Sequence, residues 1–373
     1  MSLRTPDYPF FAKAAYILIG LIALTYLVIL GKEILSPLLF SFLFSILLLP
    51  VANFLETKVR IPRGPASMVS VVLLIGVISL VIYLLGTQIH KLASDWPLFK
   101  EQLATSIAKL QLWISEKFDV NADKQLDYVH NTTETIIASG TAMFGATVLS
   151  VSSILLFLVF TFIYTFFFLL YRKLILRFLL SVFQEENAAV VYEIVEQVQF
   201  IIRKYVIGLI IEMVIVAAVV CIAFLLLGIK YAILLGLITG LFNIIPYVGI
   251  FTALLLSVVI TFATAGAIGK VLLVLIVIVS MHLIDSNVLL PMVVGSKVKI
   301  NAFVTVLGVV LGEMIWGIPG MFLSIPIIAV LKIIFDRVEG LKPWGLLLGE
   351  DEEIKRKLEK KKQELKAGAV DIG

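Results

Sequence analysis

The chain has 373 residues, of which 61% are hydrophobic and 15% charged, with a formal net charge of +4; its mean hydropathy is +1.09. Soluble domains carry about 45–50% apolar and about 25% charged residues, so this composition excludes a soluble enzyme and points to a lipid-embedded chain. The small, scattered positive charge gives no nucleic-acid surface, and one cysteine, Cys221, gives neither a disulfide framework nor a cysteine-based metal site.

A bilayer core about 30 Å thick needs about 20 apolar residues of helix. In chain order, such runs fall at 14–30, 34–51, 66–89, 147–171, 206–227 and 271–294. The first follows Arg4 and Lys13 like a signal peptide, but no small-x-small cleavage site comes after it, so it reads as a retained span. Two further runs, 231–263 and 302–330, are longer than one straight span needs. Each is broken inside, at Asn243-Ile-Ile-Pro246-Tyr-Val-Gly249 and at Gly317-Ile-Pro319-Gly320. Proline removes a backbone donor and clashes with the preceding turn. Such a break survives at membrane depth only where protein or a water-filled cavity satisfies the freed groups.

Basic residues set the orientation. Arg4 and Lys13, then Lys58, Arg60 and Arg63, then Arg172, Lys173, Arg177, Arg203 and Lys204, and finally the lysine-rich tail, all fall on one side when the termini are cytoplasmic. The segment 91–146 then lies outside. Within it Leu103, Ile107, Leu110, Ile114 and Phe118 recur at spacings of three and four, the stripe of an amphipathic helix. That stripe can face the membrane domain, a neighbouring subunit or lipid headgroups. The division of the chain is therefore 1–90, three spans; 91–146, an extracytoplasmic helical insertion; 147–204, a fourth span and a cytoplasmic amphipathic helix; 205–335, a transport core; and 336–373, a charged cytoplasmic tail.

The core carries a repeat. Gly236-x-x-x-Gly240 precedes the first break and Gly308-x-x-x-Gly312 the second, and each broken run follows one uninterrupted span. Either glycine pair alone signifies close helix packing; paired broken segments in corresponding positions point to a transporter binding site. Two topologies fit. One has eight spans; the other, which Lys297 and Lys299 favour as a cytoplasmic loop, has six full spans plus two re-entrant broken-helix hairpins forming inverted repeats. Both are all-α, polytopic transmembrane folds.

Ionisable groups at membrane depth mark ion or substrate pathways. His282 and Asp285 sit mid-span on one helical face, Glu313 precedes the second break, and Glu212 lies about two turns inside the Lys204 end. Asn243 and Asn287 add neutral ligands. Each has a plainer role open to it: an interhelical hydrogen bond for His282 and Asp285, capping for Glu313 and Asn243, snorkelling for Glu212. No P-loop, HExxH or GxSxG is present, so no cofactor is expected and flow is either ion-coupled or passive.

The stretch Arg203-Lys-Tyr205-x-x-Gly208, Gly228-Ile-Lys-Tyr-Ala232, then Gly236-x-x-x-Gly240-x-x-Asn243-Ile-Ile-Pro246-Tyr-Val-Gly249 resembles the autoinducer-2 exporter family of bacterial membrane proteins. Asp285-x-x-x-Leu289-Leu-Pro291-x-x-x-Gly295 and Gly317-x-x-Gly320-x-x-x-x-x-Pro326 resemble its second half. Departures are Leu209 where Gln is frequent, Ala302 where proline is usual, and Pro319 where an aliphatic residue is common. The resemblance implies a multi-pass protein of the bacterial inner membrane, export of a small polar solute such as autoinducer-2, and a homo-oligomer, with a pentamer as the expected form. A sodium or lithium/proton antiporter and an oligomeric pore or scaffold are the alternatives. The candidate substrate or ion site comprises Asn243, Pro246, Gly249, His282, Asp285, Asn287, Glu313, Gly317, Pro319, Gly320 and Glu212.

Overall fold

The computed structural model describes residues 9–118, 122–183, 187–246, 248–265, 268–293 and 300–349. Lys297, Lys299 and the tail beyond 349 lie outside the described residues, as do the side chains of Leu110, Ile114 and Phe118. Among the described residues the chain is all helix: α1 (Phe10–Leu30), α2 (Lys32–Thr57), α3 (Arg63–Ser94), α4 (Trp96–Phe118), α5 (Ala122–Val182), α6 (Ala188–Leu226), α7 (Ala232–Phe242), α8 (Val248–Ala265), α9 (Ile268–Ile284), a π-helical turn (Asp285–Leu289), α10 (Leu290–Val293), α11 (Ala302–Trp316), α12 (Ile318–Arg337) and α13 (Lys342–Leu348). Eight of the helices, with α9 and its π turn counted as one, are long and apolar enough to cross a membrane.

The bundle has two chemically distinct ends. At one, Arg172 of α5 donates to both oxygens of Glu56 (2.8 and 2.7 Å) and to Asn53 (3.0 Å) at the end of α2, and Arg337 at the end of α12 pairs with Glu193 near the start of α6. At the other, the Tyr231 hydroxyl before α7 donates to Asp95 after α3 (2.6 Å), and Lys270 of α9 donates to the Gly228 carbonyl after α6 (3.0 Å).

Both long runs fold back on themselves. The α7–α8 pair starts at Tyr231 and ends just before Lys270, so both of its ends lie at the Asp95 end. In the α11–α12 pair, the Asn301 amide donates to the Leu348 carbonyl (3.0 Å), while α13 lies against Asp336 at the end of α12; both of its ends lie at the Arg337 end. The second turn requires glycine, because Gly317 has φ 67° and ψ −142°, a region that only glycine occupies readily.

The two glycine pairs pack differently. Gly236 and Gly240 press against α6, where an added Cβ would meet Cys221, Ala217 and the Met213 carbonyl; Gly308 and Gly312 press against α12, at Ile328 and the Gly320 carbonyl. Close packing accounts for both pairs, but one serves the contact with a preceding span and the other the inside of its own helix pair.

The described part of the α4 stripe, Leu103 and Ile107, faces its own chain. Phe99 and Leu103 are buried, and Ile107 packs beside them, in a cluster with Ile260 and Ala263 of α8 and Val216 and Val220 of α6. By contrast α1 is exposed along nearly all its length. The helix breaks at Gly31, and the Val28 carbonyl instead accepts from the Trp316 indole (2.9 Å).

Candidate functional site

One face of α6 is buried at Tyr205, Leu209, Glu212, Val216 and Val220, the three- and four-residue spacing of a single helical stripe. Glu212 is the charged member of that stripe and is only 3% exposed. Asp285, 7% exposed, is brought beside it by the π turn. The cause of the π turn is local: Pro291 lacks an N–H and its ring excludes the carbonyl of Asn287. Ser286 Oγ donates to the His282 carbonyl (2.7 Å) and Asn287 Nδ2 to the Leu283 carbonyl (2.8 Å), which take up groups loosened by the wider turn. Isolated π turns are frequent at functional sites.

Asn243, at the first break, joins the two acids. Its Nδ2 donates to Glu212 Oε1 (2.8 Å) and to Asp285 Oδ2 (3.0 Å). The second oxygens, Glu212 Oε2 and Asp285 Oδ1, are buried without a hydrogen-bond partner among the described residues. No Lys or Arg pairs with either acid among them. Two buried carboxyl groups thus share one neutral donor and leave two acceptors open, which is a place for a proton or a small cation rather than for a second anion.

Of the other sequence-derived candidates, Pro246 and Gly249 form the turn that aims Asn243: Val248 N donates to Pro246 O (2.7 Å) and Gly249 N to Ile245 O (3.0 Å). Gly249 approaches so closely that a Cβ would meet the Phe242 carbonyl. His282 is half-buried, with Nδ1 buried and without a hydrogen-bond partner among the described residues, one turn before Asp285 but outside the Asn243 bridge. Asn287 is exposed and turned back to its own helix. Glu313 is exposed on α11 and is not one of the acids that Asn243 bridges among the described residues. Gly317, Pro319 and Gly320 form the second turn, with Gly320 pressed on Gly312. Ile244 of the first break packs against the cluster that holds Trp316, beside the second, with Tyr205 and Leu209. Leu209, the departure from the family's frequent Gln, is thus a core residue one turn from Glu212. Among the described residues no group of His, Cys, Asp and Glu side chains forms a multidentate metal site.

Comparison with known proteins agrees with this architecture. The chain is 27% identical to YrrI of Bacillus subtilis, named as a candidate transport protein, over 81% of this chain and 86% of that one. It is 25% identical to a second such protein, YueF, over 80% and 82%. It is 22% identical to the AI-2 transport protein TqsA of Escherichia coli over 86% of this chain and 90% of TqsA. The model of the family described as AI-2E family transporter matches residues 17–340, and with eight helices able to cross a membrane the chain belongs to that family of multi-pass membrane transporters.

Proposed function

We propose that the chain is a secondary transporter that exports a small polar solute of the autoinducer-2 type across the bacterial inner membrane, coupled to an ion gradient at Glu212, Asn243 and Asp285. The observation that carries this is the shared donor: acids from two separate spans held on one Asn243 nitrogen, each with an open buried oxygen. In a low-dielectric site two neighbouring carboxylates repel, and a proton or cation between them removes the repulsion. Loading that ion holds α6 and the π turn together on the broken helix, and losing it drives them apart. Such an ion-dependent contact at a helix break is what alternating access requires. The solute class is supported by the name of the relative TqsA.

In this proposal α7–α8 and α11–α12 are re-entrant hairpins that enter from opposite faces, which makes the core of 205–335 a pair of inverted units. Support comes from the ends of each pair, which meet opposite ends of the bundle. Both termini are then cytoplasmic, at the Arg172 end, in keeping with its excess of Lys and Arg. The protein is a homo-oligomer, a pentamer on the family's pattern, and a neighbouring copy gives the exposed α1 a surface to pack on.

The test is transport by purified protein in liposomes. Uptake of autoinducer-2 into inside-out-oriented vesicles should require an imposed proton or sodium gradient and collapse with an ionophore. Exchange of sodium or lithium for protons with no solute present would favour an antiporter instead, and leakage of solute and ions alike without coupling would favour a pore.

A further inference from the structure

A cavity of about 890 Å³ opens among α2, α5, α6 and α12 at the Arg172 end, within the ~300–1,000 Å³ range of small-molecule sites. Its origin is a wedge. The helices α5 and α6 are consecutive, yet they touch in few places while α2 packs on both. It is separate from the acidic site. Its deep end on α6 is Gln199, about 20 Å along the helix axis from Glu212, and the buried Ile202, Tyr205 and Leu209 lie between.

The walls are apolar: Ile46, Leu49, Leu176, Leu179, Val195 and Ile334. The deep Ser45 is satisfied by its own helix, since its Oγ donates to the Phe42 carbonyl (2.8 Å). Polar groups gather at one end, where Arg172 and Arg337 line the cavity with Glu339 and Asn187. Glu56 holds the Arg172 fork, and Glu193 with Gln197 holds that of Arg337. Each guanidinium has five N–H donors, so these partners orient it without exhausting it. The surrounding end of the bundle is basic, with Lys58, Arg60, Lys173 and Arg177 exposed.

We propose that this cavity is a lipid site, which takes the acyl chains of an anionic glycerophospholipid and holds its phosphate at Arg172 and Arg337. An apolar cavity at the Arg172 end of the spans with a basic rim on one side fits that amphiphile. Beyond the rim and Ser45 a polar solute would find only the Gln199 side chain at the deep end among otherwise apolar walls. The ligand would brace α5 apart from α6 and contact α12, the returning arm of the second helix pair, so its binding bears on that pair's position independently of the acidic site.

The experiment measures phospholipid that stays with the purified full-length protein in mild detergent, by extraction and mass spectrometry, then by exchange against micelles doped with phosphatidylglycerol or phosphatidylcholine. Wild type should retain anionic phospholipid and prefer phosphatidylglycerol. Val195→Trp, which fills the cavity from α6, and Leu179→Trp, which fills it from α5, should each lose the retained lipid. Val219→Trp, on an exposed face of α6, should keep it. Arg337→Gln should abolish the preference for phosphatidylglycerol while still taking up lipid. Two independent filling variants guard against the misfolding of one, checked by size-exclusion profile. Retention by both folded filling variants at the wild-type level, a wild type that strips clean, or equal uptake of the two headgroups by wild type would each overturn the proposal.

Discussion

Glu212 and Asp285 come from different spans and accept hydrogen bonds from the same nitrogen, that of Asn243 (2.8 and 3.0 Å). Neither can lose its charge without changing the other's environment, so the two should act as a unit. Asp285→Asn keeps the shape and the hydrogen-bonding capacity and removes one titratable group. We expect normal expression and assembly with ion-coupled transport abolished, and partial activity in Asp285→Glu. Glu212→Gln should match Asp285→Asn, and the double variant should be no worse than either, because groups acting together are not additive. Transport by Asp285→Asn at the wild-type rate and pH dependence would make the residue structural.

Asn243→Ala removes the donor and leaves both acids facing each other without it. Stranding a buried polar group costs about 1–3 kcal/mol, so this variant should melt earlier in detergent than wild type. Adding Asp285→Asn to it should recover part of the loss by supplying an amide in place of one carboxylate. A double variant that melts below Asn243→Ala would show that the bridge does not govern local stability.

Much of the fold was legible as apolar runs, because a span of lipid-facing helix needs little more than length and hydropathy. The long broken runs were equally visible, since Pro246 and Gly317 interrupt them. Partnership was less legible. Glu212 is shallow by its distance from Lys204, yet it lies on the buried stripe of Tyr205, Leu209, Val216 and Val220; that periodicity holds the signal. Glu313 precedes the second break, but only the rotation of α11 decides which way it points, and it is Gly308 and Gly312 that face α12. The only local mark of the π turn at Asp285 is Pro291, four residues after Asn287. Trp316 is one aromatic in an apolar run, and its bond to Val28 depends on a helix 288 residues away.

The hairpin topology predicts the sidedness of two positions. In a Cys221→Ala background, cysteine at Gly269, exposed near the start of α9, should react with a membrane-impermeant maleimide from outside. Cysteine at Ala302, exposed at the start of α11, should react from inside. The reverse pattern is what eight spans require.

Glycine substitutions should separate contact from spacing. An added Cβ at Gly249 would meet the Phe242 carbonyl, and at Gly320 the Gly312 carbonyl, whereas at Gly76 of α3 it meets nothing within 4 Å. Gly249→Ala and Gly320→Ala force packed backbones apart and should lower the melting temperature or abolish folding. Gly76→Ala should be neutral or stabilising by up to about 1 kcal/mol from helix propensity. Equal melting of all three would mean that the two turns tolerate wider helix spacing.

The clasp at the Asp95 end should respond to acid in one direction only. Asp95 accepts from the Tyr231 hydroxyl (2.6 Å) and lies 3.4 Å from the Lys230 ammonium. These contacts, the tyrosine bond foremost, hold its carboxyl below its ordinary value of 3.8. A depressed carboxyl contributes stability that is fully present above its ordinary value and is lost as pH falls through the lowered one. The clasp also fixes Tyr231 at φ 63°, a left-handed conformation unusual for a side-chain-bearing residue. Amide hydrogen exchange around Tyr231 should therefore be faster in Asp95→Asn than in wild type by a constant ratio between about pH 5 and 8, after correction for intrinsic rates. The ratio should shrink toward one only below 3.8. Tyr231→Phe, which loses the principal bond, should raise the carboxyl toward its ordinary value and move the collapse to higher pH. A ratio that already changes near neutrality would assign the pH response of this end to another group.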